Sequence, residues 1–138
     1  MKPLFLTIAL LFSTPAWAEW ELFASGPIAE VYMDLNSIRI KDGYVFHWEL
    51  INWKKPTERF HSLKMYRQSD CDLRRQKTLQ IVTYLQPMGV GKVIDSESVA
   101  PDEEKWEYPP PDDNSALALG YICNALENAK KNNPPSRN

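Results

Sequence analysis

Apolar and polar positions alternate through much of the chain, most plainly in "YVFHWELINW", Tyr44–Trp53. Tyr44, Phe46, Trp48 and Leu50 share one parity, while Val45, His47, Glu49, Ile51 and Trp53 share the other. Successive strand side chains point to opposite faces, so aromatic and branched residues on both parities predict a mostly buried strand. Asp42-Gly43 just upstream is a favoured two-residue hairpin turn. It predicts that "SIRIK", with Ile38 and Ile40 on one face and Arg39 and Lys41 on the other, pairs antiparallel with that strand. "EVYMD" alternates again and is expected to stop at Asp34-Leu35-Asn36-Ser37, because Asp and Asn side chains cap turns. Residues 20–23 supply an opening strand.

Beyond the proline-containing "KKPTE" come "HSLKMYRQSDC" and "RRQKTLQIVTYLQ". Leu63, Met65 and Cys71 share odd parity, as do Leu79, Ile81 and Leu85. Arg67 falls on the same parity, so either a bulge re-aims it or its strand runs past the core edge. Residues 87–111 hold two glycines and five prolines, which break ladders and helices; a short edge strand near residues 92–95 is the expected regular structure there. The period then changes. In "DDNSALALGYICNALENAKK", Ala116, Leu119, Ile122, Cys123 and Leu126 fall at helical spacing on one face. Asp113 or Asn114 caps the start, and an acidic first turn with Lys130-Lys131 at the end suits the helix dipole. Gly120 inside this helix costs about 1 kcal/mol relative to alanine; a close approach of helix to sheet would explain it. The pattern predicts an α+β fold, an antiparallel meander of five to six strands with a C-terminal helix packed on one face.

The first residues change the cellular picture. In "MKPLFLTIALLFSTPAWAEW", Lys2 precedes an apolar run over residues 4–12, and Ala16-Trp17-Ala18 is a small-x-small cleavage signal. That run is far shorter than the about 20 residues a membrane-spanning helix needs. Residues 1–18 are therefore expected to be a signal peptide, residues 19–129 one domain, and residues 130–138 a flexible tail. No cysteine follows the cleavage site to take a lipid, so the expectation is an exported, periplasmic or secreted protein without a membrane span or lipid anchor.

Export places Cys71 and Cys123 where disulfides persist. Cys123 lies on the apolar helix face and Cys71 on the apolar parity of its strand, so both thiols are expected in one sheet-helix interface, bridged. A catalytic thiolate would need a base and cationic surroundings, and Asp70 and Asp72 flank Cys71. A zinc site needs four clustered ligands; two cysteines and two histidines offer few.

Histidines are the next candidates for chemistry. His61 is expected to pair near Asn52 or Trp53, which leaves His47 roughly 17–20 Å away along the sheet. His47 and Glu49 share a face but lack a third ligand, and are expected to be a partly exposed strand pair. Gly89-Val90-Gly91 lacks the setting of a phosphate loop. No catalytic constellation, metal set or cofactor motif emerges.

Charge is unevenly spread. Residues 39–92 hold 11 basic and 5 acidic residues, whereas residues 93–113 hold 1 basic and 8 acidic. Trp53, Lys54, Lys55 and Arg59 form the best basic cluster at one hairpin tip, suited to a protein ligand or a polyanion. The competing expectation is that the acidic loop folds over the basic strands and neutralises them. Export and a formal net charge of −2 argue against nucleic acid.

Trp20, "YMDLNSIR", "VFHWEL", "SDCDLRR", "WEYP" and the helix bearing Ser115 and Cys123 follow one another in an order and spacing that resemble the bacterial surface-adhesin protein E family. The resemblance spans residues 20–123. It implies an antiparallel sheet with a disulfide-tied helix, binding to host matrix and serum proteins such as laminin and vitronectin, and homodimerisation as an option. The leading expectation is a non-enzymatic exported binding module. The alternative is a periplasmic structural or assembly accessory of the Gram-negative envelope that pairs through a sheet edge or through an outward face bearing Tyr66, Tyr84 and Trp53.

Overall fold

The computed structural model describes residues 19–132; the expected signal peptide, residues 1–18, and the end of the expected tail, residues 133–138, lie outside the described residues. Six strands run in chain order: β1 (Trp20–Ser25), β2 (Ala29–Lys41), β3 (Tyr44–Trp53), β4 (Ser62–Asp70), β5 (Arg75–Tyr84) and β6 (Val93–Ser98). They form one antiparallel sheet in which each strand pairs with its neighbours in sequence. One helix, α1 (Asn114–Asn132), follows. The α+β meander with a C-terminal helix is thus the observed architecture. The helix carries through Lys130 and Lys131, past the start assigned to the tail.

The helix packs on the face bearing the odd positions of β3. Met33, Val45, Ala118, Ile122 and Leu126 form the buried cluster, with Phe23, Leu35, Ile38 and Cys71 against it. Cys71 and Cys123 are joined by a disulfide across this interface, with Cα atoms 5.5 Å apart. The helix seals itself at Asp113, whose carbonyl accepts from the Ala116 and Leu117 N–H groups; the acidic residues precede the first turn rather than occupying it.

Several expectations need correction. The stop at Asp34-Leu35-Asn36-Ser37 is an irregularity within one long strand: pairing with β3 shifts between Asp34 and Arg39. There the Ser37 hydroxyl donates to the Asp34 carbonyl at 2.7 Å and accepts from the Trp48 N–H at 3.0 Å, so side-chain oxygens replace ladder bonds and the strand continues. Gly120 does not mark a close approach, because a methyl group built there meets nothing within 4 Å. Arg67 is neither re-aimed nor pushed off the core edge. The register does shift beside it, Tyr66 facing Gln80 and Arg67 facing Thr78, yet Arg67 stays on the helix-covered face and is 5% exposed.

Its charge is met locally. His47 and Glu49, expected to be partly exposed, are 1% and 5% exposed because the helix covers them. The His47 Nε2–H donates to Glu49 Oε1 at 2.8 Å, and Glu49 Oε2 lies 4.0 Å from Arg67 Nε. Arg67 also donates to Thr78 Oγ1 and reaches Glu107 at 3.4 Å. Burial alone would raise the Glu49 carboxyl; the hydrogen bond from His47 and the attraction of His47 and Arg67 outweigh it and hold the group below the usual carboxylate range.

Candidate binding surface

The acidic loop docks at one end of the sheet. Glu107 bridges to Gln76 by a pair of backbone hydrogen bonds of 3.0 and 2.8 Å. That contact brings Glu104 onto Lys77 and Glu107 onto Arg67. It also lays Trp106 against Tyr44, with ring centroids 5.8 Å apart. Arg75 and Lys77 sit over the Trp106 ring at 4.3 and 4.9 Å, a cation–π arrangement. Arg75 is further paired with Asp70 at 2.9 Å. Asp70 accepts from the Asp72 and Leu73 N–H groups as well, which closes the turn of "SDCDLRR". Burial would raise the Asp70 carboxyl, but the hydrogen bond from Arg75 and these N–H bonds leave it below the usual range. Arg67, Arg75 and Lys77 at this end are therefore paired by the loop and by Asp70, while Arg39, Lys41 and Arg74 stay exposed and outside any ion pair among the described residues.

At the other end the β3–β4 connection carries Lys54, Lys55 and Arg59, all exposed. None of the three is in an ion pair among the described residues. Thr57 builds the turn: its hydroxyl accepts from the Arg59 and Phe60 N–H groups and donates to the Phe60 carbonyl, an arrangement that lets a side chain stand in for a backbone turn. Trp53 meets Phe60 edge-on at 5.1 Å. The β1–β2 connection joins them, since the Lys54 N–H donates to the Ile28 carbonyl at 2.9 Å. Pro27, Ile28, Lys54 and Lys55 line a groove of about 390 Å3. Ile28, 70% exposed, is a surface contributor that pattern reading missed, for it lies outside any alternating run.

Tyr66 does not belong to this cluster. It faces Trp48 across the β3–β4 pair, on the even-parity face opposite Trp53, and Trp48 lies five residues from Trp53, roughly 17 Å along the strand. Its ring contacts are Trp48 at 5.0 Å and Phe46 at 6.1 Å. Tyr84 shares this second face, where Trp20, Asp34, Trp48, Lys64, Val82 and Tyr84 line a pocket of about 320 Å3. The face expected to carry Tyr66, Tyr84 and Trp53 together is thus divided between the two sides of the sheet.

The surface-adhesin protein E profile matches residues 20–124, from the first strand into the helix. The chain belongs to the surface-adhesin protein E family. No curated protein matches the sequence. Among solved structures, protein E of Haemophilus influenzae shares the fold. One crystal structure of the non-typeable organism's protein E aligns with a TM-score of 0.62 and 16% identity, covering 80% of this chain and 78% of that chain. A second crystal form aligns with a TM-score of 0.57 and 18% identity, covering 70% and 82%. At such identities the likeness establishes the adhesin E fold and nothing residue by residue. Membership of a family of surface adhesins supports a binding role and implies export; no helix among the described residues is long and apolar enough to cross a membrane. Those residues also hold no group of three or more His, Cys, Asp or Glu placed to bind a metal.

Proposed function

We propose that this adhesin E-family chain is a non-enzymatic exported binding module that engages an acidic protein surface or a polyanion through the β3–β4 tip. The observation that carries the reading is the combination of unpaired cations and apolar surface at the tip. Arg67, Arg75 and Lys77 are paired at the loop-covered end, while Lys54, Lys55 and Arg59 stand exposed beside Trp53 and Ile28 at the other. Unpaired cations next to apolar groups supply both long-range attraction and contact area. Host matrix proteins such as laminin and vitronectin are the partners that the family suggests, and secretion or display at the surface is the corresponding location.

Solid-phase binding of the purified, oxidised protein to immobilised laminin, vitronectin and heparin tests the proposal. Saturable binding that weakens as salt rises is expected. Absence of binding to all three at low ionic strength would count against it.

A periplasmic accessory role has one specific observation in its favour. All six residues of the edge strand β6 are exposed, and an uncovered edge offers backbone groups to an added strand. Crosslinking in cells that captures an envelope protein through β6 would favour this reading over adhesion.

A further inference from the structure

The sheet face opposite the helix holds a second site of different chemistry. Cross-strand pairing sets Trp20 opposite Asp34, Asp34 opposite Trp48 and Trp48 opposite Tyr66, so a carboxylate sits in a row of aromatic rings. Asp34 is 9% exposed. Its Oδ1 accepts the Asn36 N–H at 3.0 Å, and it has no cationic partner within an ion-pair distance among the described residues. An ionised carboxylate withdrawn from water without a counter-charge is costly, and a bound cation would relieve that cost.

The pocket already attracts one cation. The Lys64 ammonium lies 5.5 Å from the Trp20 ring centroid and 4.8 Å from that of Tyr84. The Pro87–Gly89 turn holds its stem in place: the Ser62 hydroxyl accepts the Gly89 N–H at 2.8 Å and donates to the Gln86 carbonyl at 2.6 Å, while Asn52 Oδ1 accepts the Met88 N–H at 2.8 Å. Gly89, at φ 61°, lies against Lys64 Cε so closely that any side chain there would collide with it. The terminal ammonium, beyond Cε, lies between the rings of Trp20 and Tyr84.

We propose that this pocket binds a quaternary ammonium group, and that Lys64 is the built-in competitor occupying it in the free protein. Its volume of about 320 Å3 is at the small end of ligand sites, about 300–1,000 Å3. Aromatic faces plus a carboxylate are what recognise such cations. A primary ammonium is strongly hydrated, so Lys64 returns to water at little cost, whereas a methylated ammonium gains more from the rings. A choline headgroup or a soluble choline-like solute carries the required chemistry.

Calorimetric titration of the oxidised protein with tetramethylammonium and choline, with ethanolamine as the primary-amine control, tests this. Both quaternary ions are expected to bind saturably and ethanolamine at least about tenfold more weakly. Lys64→Met, which keeps the apolar stem under Gly89, should tighten choline by about tenfold, and Asp34→Asn should weaken it by about tenfold. If Asp34→Asn fails to fold, Tyr84→Leu replaces it with the same expected direction. Cosedimentation with phosphatidylcholine vesicles distinguishes a lipid headgroup from a free solute. Weaker binding by Lys64→Met, or no saturable binding by either the wild type or that variant, would overturn the proposal.

Discussion

The residues that most constrain this domain are three charged or polar ones under the helix. Glu49 sits between His47 and Arg67 with almost no access to water. Removing one member of a buried pair strands the other, at a cost of about 3–5 kcal/mol, whereas replacing both by apolar groups of similar volume is often neutral. Glu49→Leu should therefore lose about that much stability in urea titrations, and Glu49→Leu with Arg67→Met should recover most of it. The pH dependence has a definite sign. Because the folded Glu49 carboxyl is held below its ordinary value, its contribution is complete above the unfolded value of about 4.3 and is lost as pH falls through the lower folded value. Asp70, also lowered, acts in the same direction. Stability measured from neutral pH downward should fall less steeply in Glu49→Leu than in the wild type. This cluster was half legible in the sequence. Parity placed His47, Glu49 and Arg67 on one side of their strands; that three such residues would lie under a helix runs against the usual exposure of charged groups, so the pattern alone favoured solvent.

Among the elements, the strands with clean alternation and the helix with its 3.6 period were legible because each needs one buried stripe, which residue type marks directly. Pairings that depend on partners distant in the chain were not. Asp34 and Ser37 look like a turn until Trp48 arrives to use the Ser37 hydroxyl, whereas β6, all of whose residues are exposed, was legible only as a short edge strand near residues 92–95. The residues of the aromatic pocket, Trp20, Lys64 and Tyr84, come from three different strands and meet through topology rather than spacing. The helix itself supplies a prediction. Gly120 serves no contact that an added methyl group would disturb, and alanine is favoured over glycine in a helix by about 1 kcal/mol. Gly120→Ala should stabilise the protein by up to about that amount, seen as a higher urea midpoint with an unchanged slope.

At the scale of the whole molecule, a modest core is reinforced by one covalent link between sheet and helix. The loop closed by Cys71 and Cys123 spans 52 positions, for which chain entropy gives roughly 4 kcal/mol, a large share of the about 5–15 kcal/mol typical of a folded domain. Cys71→Ser with Cys123→Ser, or reduction of the wild type, should lower stability by about that amount, and the unreduced protein should take up no alkylating groups. The two cysteines were legible as a pair because each lies on the buried side of its element. "RQSDCDLRRQ" thus holds a staple, with Arg75 and Asp70 closing the turn beside it. The same molecule-wide view separates its two charged ends. The loop from residue 99 to residue 113 docks across the start of β5 and pairs with Arg67 and Lys77 there, whereas the opposite tip sets its unpaired cations beside Trp53 and Ile28.

Binding through the tip is tested most directly by comparing wild-type protein with Lys54→Glu, Lys55→Glu and Arg59→Glu combined, in binding to laminin, vitronectin and heparin across a range of salt. Charges at the rim of an interface govern association rate and salt dependence. The combined variant should fold as the wild type does, bind at least about tenfold more weakly at low salt and lose most of the salt dependence. Unchanged affinity and an unchanged salt slope in a folded triple variant would contradict binding through the tip.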